Sequence, residues 1–324
     1  MEISPQAENR TGMTNKCRSV VLFGLVIALP LVLIIVAFPL VSSAFFQRYC
    51  DKPDIQRMTH PFLSTRQRCD IVIYGDSTAE VGLDPVRISQ ETHLSTCNVA
   101  VTFPTVSVLG TDPLERFLAV RGRPRYIVLS FAPGNFVYPT PSQGGLAWDG
   151  LILAARLGEW HPMMRAIIQN PDRIFALINY AYLGGSLGLA KSLLRHHALI
   201  PGPEDEGTYA AVPIGPLVSC VPTRAAHFLP DQSYIDHLRS SFAPRADHLV
   251  LNVSPTSSCL DMFPKWSAAL AHSTDNGLAA YPLNMFADDY YHLTGAGAKR
   301  YSDTVAKEVL ADLASKEEAA VRAP

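Results

Sequence analysis

Ser77 stands in Gly75-Asp76-Ser77-Thr78, directly after the uninterrupted apolar stretch Ile71-Val-Ile-Tyr74. Near the other end of the chain, Asp289-Tyr-Tyr-His292 runs into Leu-Thr-Gly-Ala-Gly. A serine hydroxyl stays protonated near neutral pH and attacks a carbonyl only when a base takes its proton. An imidazole serves as that base when a carboxylate fixes its tautomer and stabilises the imidazolium. The two segments therefore hold the parts of an acyl-transfer site: Ser77 as nucleophile, His292 as general base and Asp289 as the orienting carboxylate. Asp288 is a rival orienter one residue off, and the three-residue step to His292 selects Asp289. Asp76 reads as structural, its carboxylate tying the amides of the turn. The backbone N–H of Ser77 would help hold an oxyanion. Singly, Gly-Asp-Ser is also an ordinary turn and Asp-x-x-His is equally unremarkable; the pair carries the signal.

Elements that would position these residues follow from the apolar pattern. Ile71–Tyr74, Cys97–Val101, Tyr126–Phe131 and His248–Val253 are dense in Val, Ile and Leu without alternation, as expected of strands covered on both faces. Pro113–Arg121 and Gln232–Ser240 between them have helical spacing. This is the βαβ rhythm of an α/β fold, a three-layer α/β/α sandwich on a mostly parallel sheet. In such a sheet ligands bind beyond the carboxyl ends of the strands, which is where Ser77 would sit. After Gly297, the steps Ala298, Tyr301, Val305, Val309 and Leu313 predict an amphipathic helix with Thr294 as its cap. The interval from about 140 to 245 is too long for a connection. Its helical runs, Leu151–Trp160, Met163–Tyr180 and Gly188–His197, and the loop Pro201–Gly207 read either as an inserted subdomain over the site or as a helical layer packed on the sheet.

The nucleophile block after the first strand and the Asp-x-x-His block before the terminal helix together resemble the SGNH hydrolase (GDSL-type esterase/lipase) superfamily, whose fold is flavodoxin-like. The resemblance covers roughly Asp70 to Leu313, the middle insertion excepted. It implies Ser77 as nucleophile, with Asp289 and His292 as acid and base. It also implies an oxyanion hole in which the amide of Asn135, in Gly134-Asn135-Phe136, joins the N–H of Ser77. Two departures stand out. The family's G-x-N-D block has its glycine one residue too close and Phe136 in place of the aspartate. The segment Asn98-Val-Ala-Val-Thr-Phe103 keeps the asparagine of the second block but has no glycine. The resemblance implies cleavage of O-acyl esters, above all O-acetyl esters, of an envelope polysaccharide or lipid; transfer of the acyl group to a sugar hydroxyl is the near alternative.

Val20 to Val41 is uncharged and apolar, long enough as a helix to cross about 30 Å of hydrocarbon. Arg10, Lys16 and Arg18 precede it, which leaves residues 1–19 cytoplasmic and sends the rest outside. The run exceeds a signal-peptide core, which favours an uncleaved anchor over cleavage at Ser42-Ser43-Ala44. The expected order is thus a membrane helix over 20–41, a connector over 42–68, the α/β domain over 69–316 and a tail over 317–324. Cys50, Cys69, Cys97, Cys220 and Cys259 fall on the exported side, where disulfides persist. Cys69 and Cys97 lie at the starts of two strands, so a bridge between them is feasible if those strands are parallel neighbours and is the first pairing to expect, with Cys220 and Cys259 the second.

The chain's 324 residues are 17% charged with a net charge of −2, which gives no electrostatic reason for a nucleic-acid partner. No Walker-type loop and no G-x-G-x-x-G after a strand suggests a nucleotide cofactor, and no cysteine spacing suggests zinc. His196-His197 point apart on a helix and lack a carboxylate partner, so no metal or cofactor is expected. A non-catalytic binding or assembly component on the same fold is the reading from another class. It would be favoured if the serine oxygen lay beyond about 4 Å from the imidazole.

Overall fold

The apolar runs become four parallel strands in the computed structural model, which describes residues 68–138, 148–169, 219–220, 228–287 and 289–322 with a few isolated positions before residue 63. These are β1 (Ile71–Gly75), β2 (Thr96–Asn98), β3 (Tyr126–Phe131) and β4 (His248–Val253), in the order β2-β1-β3-β4. Alternate residues serve opposite faces of the sheet. Val72, Tyr74, Ile127, Leu129 and Val253 enter one core, while Ile71, Ile73, Tyr126 and Val128 enter the other. Both faces being apolar, no polar alternation survives in the sequence.

Helices cover both faces. On one side lie α1 (Ser77–Gly82), α2 (Pro85–Thr92) and the long α9 (Gly295–Arg322), contributing Ala79, Ile88, Ala298, Tyr301, Val305 and Val309. On the other side lie α3 (Phe103–Leu109), α4 (Asp112–Arg121), α5 (Trp148–Leu157), α6 (Trp160–Gln169), α7 (Gln232–Phe242) and α8 (Phe263–Leu270). A two-stranded parallel pair, β5 (Thr256–Ser257) with β6 (Ala280–Tyr281), flanks the main sheet. The fold is therefore α/β with a parallel main sheet. The chain goes from β1 outward to β2 and then back across to β3, so the crevice of this sheet opens where β1 and β3 end.

Several boundaries differ from the sequence-based expectation. β2 stops at Asn98 because Ala100 turns its N–H onto the Asn98 side chain, although Val99 and Val101 still donate to Ile73 and Gly75 of β1. α9 runs on to Arg322, through most of the stretch expected as a tail, since neither Gly nor Pro interrupts it after Gly297. The connector is partly docked: Phe62 stacks edge-on against Phe117, and Thr59 is buried. Within the interval 140–245, α7 is the crossover from β3 to β4, and Leu151, Leu153, Ala154 and Met163 of α5 and α6 belong to the sheet's core. The described part of that interval is thus a helical layer on the sheet. Gly188–His197, Pro201–Gly207 and most of Met163–Tyr180 lie outside the described residues.

Cys69 and Cys97 are bridged across the starts of β1 and β2, and Cys220 is bridged to Cys259, each pair with Cα atoms 5.8 Å apart. Cys17 and Cys50 lie outside the described residues, as does nearly all of the expected membrane span. Among the described residues no helix is long and apolar enough to cross a membrane.

Candidate active site

The turn after β1 is built by one glycine and one aspartate. Gly75 pairs with Ser130 of β3 so closely that a Cβ there would sit 1.6 Å from the Ser130 carbonyl oxygen. Asp76 caps α1, its backbone carbonyl accepting from Ala79 and Glu80 (both 3.0 Å) and its side chain from the Thr78 N–H (2.9 Å). Ser77 is thereby the first residue of α1, at the carboxyl end of β1. Asn98 holds the far end of this helix, donating to the carbonyls of Ala79 (3.0 Å) and Leu83 (2.9 Å).

His292 arrives on the loop between β6 and α9. That loop is pinched by an antiparallel bridge between Phe286 and Leu293 and by the Ala287 N–H donating to His292 O (2.9 Å). It is tied to β5 through the Tyr290 carbonyl, which accepts from the Thr256 hydroxyl (2.8 Å). Asp289 organises its interior. One carboxylate oxygen accepts from the N–H groups of Tyr291 (2.9 Å) and His292 (2.6 Å), and the other lies 2.5 Å from His292 Nδ1. Nδ1 therefore carries the proton given to Asp289, leaving the Nε2 lone pair toward Ser77 Oγ at 2.9 Å. Ser77, His292 and Asp289 are brought together across the full span of the domain.

Burial alone would raise the Asp289 carboxyl, but the hydrogen bond and charge of His292 and the two backbone N–H groups outweigh it, holding the carboxyl below the usual carboxylate range. Burial, with Asp289 and Asp261 nearby, pushes the Tyr291 phenol up to about 12, so this neighbour of the imidazole keeps its proton at neutral pH. Asp288 lies outside the described residues.

Asn135 closes a short 3-10 turn, Pro133–Asn135, directly after β3. Its amide nitrogen donates to Asp76 Oδ2 (2.6 Å), which also accepts the Ala132 N–H (2.9 Å). An amide carries two N–H donors, so one is committed to Asp76 and the second is the one with which Asn135 would meet an oxyanion. Asp76 thus does more than tie its own turn, because it joins the loops after β1 and β3. Sequence reasoning missed that bond, along with the hold of Asn98 on α1. In the segment lacking a glycine, the N–H groups of Val99, Ala100 and Val101 are all committed within the fold. None of the three is an oxyanion donor. Gly134 backs onto the Trp266 ring, with a Cβ there falling 3.3 Å from Trp266 Cζ2, and Trp266 in turn donates to the Phe228 carbonyl.

Among the described residues no group of three or more His, Cys, Asp or Glu side chains is placed to hold a metal ion. No family model, curated protein or solved structure matches this chain.

Proposed function

We propose that the chain is a serine hydrolase of the SGNH type, with the three-layer flavodoxin-like architecture that name carries, acting on O-acyl esters outside the cytoplasmic membrane. The 2.9 Å approach of Ser77 Oγ to an imidazole oriented by Asp289 carries this reading. Ser77 Oγ attacks the acyl carbonyl carbon while His292 Nε2 takes its proton. The resulting oxyanion is held by the Ser77 N–H and the second N–H of Asn135. Collapse expels the alkoxide, which receives the proton from His292 and leaves as an alcohol, with the acyl group on Ser77. A water then gives its proton to His292 and attacks the acyl-serine, releasing the carboxylic acid and Ser77. A sugar hydroxyl in place of that water makes the same site an acyltransferase. No metal, nucleotide or nucleic acid enters these steps.

An exported location is supported by the two disulfides and by the basic residues ahead of the apolar run 20–41, read as a single-pass anchor with its N-terminus inside. The altered Gly134-Asn135-Phe136 block and the committed Val99–Val101 amides favour a non-catalytic binding role. A binding module, however, has no need of a proton relay aligned from Asp289 to Ser77.

The test is p-nitrophenyl acetate turnover by the full-length chain in detergent, beside Ser77→Ala and His292→Ala. Each substitution is expected to lower kcat by about a thousandfold or more. Turnover equal in all three folded proteins would reject the hydrolase reading. A polysaccharide acceptor that speeds release of p-nitrophenol without matching release of acetate would mark the transferase form.

A further inference from the structure

Behind the site runs a line of buried hydroxyls that the acyl-transfer steps do not use. Thr78 Oγ1 lies 2.6 Å from Asp76 Oδ1 and 2.7 Å from Ser254 Oγ. Ser254 Oγ lies 3.0 Å from Ser130 Oγ, which lies 2.8 Å from the Tyr301 hydroxyl. All five side chains are buried, none more than 4% exposed.

Their proton order follows from counting. The Asp76 carboxylate already receives three N–H groups, from Thr78, Ala132 and Asn135, and as a carboxylate it only accepts. Thr78 must therefore give its single hydroxyl proton to Asp76. The 2.7 Å contact with Ser254 then needs the proton of Ser254, the next contact needs that of Ser130, and the last needs that of Tyr301. Every hydroxyl donates once, in one direction, from Tyr301 to Asp76. Burial pushes the Tyr301 phenol above its ordinary value, in keeping with a terminal group that holds its proton.

The chain touches α1 beside Ser77, the ends of β3 and β4, and the helix that begins just after His292. It ends on the carboxylate whose other oxygen holds the Asn135 amide. We infer that Tyr301, Ser130, Ser254 and Thr78 are positioning residues: their one-way hydrogen-bond chain locks the Asp76 carboxylate, and through it the Asn135 amide, in register with the catalytic serine and histidine. This inference rests on the acyl-transfer reading, because what it positions is an oxyanion donor. Buried hydroxyls require partners, and bonds in such chains polarise one another. The nearer a lost member lies to Asp76, the more Asn135 should feel it.

The experiment measures kcat, KM and Tm with p-nitrophenyl acetate for full-length Tyr301→Phe, Ser254→Ala and Thr78→Val, each alone and with Asn135→Ala. The net worth of a hydrogen bond corresponds to about two- to tenfold in rate. Tyr301→Phe is expected near the low end and Thr78→Val near the high end, with KM within about twofold of wild type. Thr78→Ser, which keeps the hydroxyl, is expected to restore kcat. In the Asn135→Ala background the three losses should vanish. Losses that persist undiminished without the Asn135 amide, a Thr78→Ser as impaired as Thr78→Val, or an unchanged kcat in Tyr301→Phe and Ser254→Ala would each overturn the inference. Tyr301→Phe keeps the ring and its packing, so a folded variant is available even if Thr78→Val does not fold. A wild-type protein with no Ser77-dependent turnover would instead sink the hydrolase reading, and the catalytic role of the chain with it.

Discussion

Asp289 commits both carboxylate oxygens to a single loop, one to the backbone N–H groups of Tyr291 and His292 and one to the His292 ring. Its folded value lies below the ordinary carboxylate value of about 3.9. The stability it contributes is therefore complete above about pH 4 and lost as the pH falls through that depressed value. The side chain is 38% exposed, so solvent screens the effect and keeps it small. Asp289→Asn is expected to lower kcat by about a thousandfold or more, since an amide need not hold the imidazole in the required tautomer. The same variant should lose less stability than wild type between pH 5 and pH 2.5, read as urea midpoints; parallel pH profiles would contradict the ion pair. That Ser77, Asp289 and His292 come together was legible in sequence because each is a reactive residue type beside a recognisable strand or helix start. The Asp76–Asn135 bond was not, because it depends on β1 and β3 being neighbours in one particular register. Asn252, whose Asn-Val-Ser setting matches a glycosylation acceptor, proves fully buried with its amide on Glu308, which only the packing of β4 reveals.

At the scale of elements, two glycines flanking Ser77 behave oppositely. Gly75 ends β1 against the Ser130 carbonyl, and a methyl group there has no place short of separating β1 from β3. Gly82 ends α1 in ordinary space, where a Cβ would meet Leu293 and Tyr301 at 3.5 Å. Gly75→Ala is expected to give no cooperatively folded protein, whereas Gly82→Ala should raise stability by about 0.5–1 kcal/mol, because alanine loses less backbone freedom in a helix. Thermal unfolding checks both, and a well-folded Gly75→Ala with wild-type Tm would refute the close β1–β3 contact. The long strands β3 and β4 fall where their apolar runs predict, since a strand buried on both faces leaves a run that nothing else explains. Helices α1, α2, α3 and α8 were missed. They are short, three of them start at or beside a proline that also reads as a turn, and packing on the sheet rather than propensity makes them helical.

Over the whole molecule, the strand order β2-β1-β3-β4 places the serine turn and the Asn135 turn on adjacent strand ends, while α9 returns behind them to bring up the histidine loop. The bridge between Cys69 and Cys97 fixes the opposite, amino-terminal ends of β1 and β2, away from the turn that carries Ser77. The bridge from Cys259 to Cys220 instead anchors the loop beside β5, the strand that holds the Tyr290 carbonyl. These long-range consequences could be read from sequence only as conditionals: if the strands are parallel neighbours, the first bridge is feasible. The hydrolase proposal turns on activation of Ser77 as a nucleophile by His292. It is tested most directly by incubating the full-length chain with a fluorophosphonate and locating the adduct by peptide mass spectrometry. One phosphonylated residue is expected, Ser77, with labelling abolished in Ser77→Ala and slowed by about a thousandfold in His292→Ala. A folded wild-type protein left unlabelled, or labelled as fast without the histidine, would contradict it.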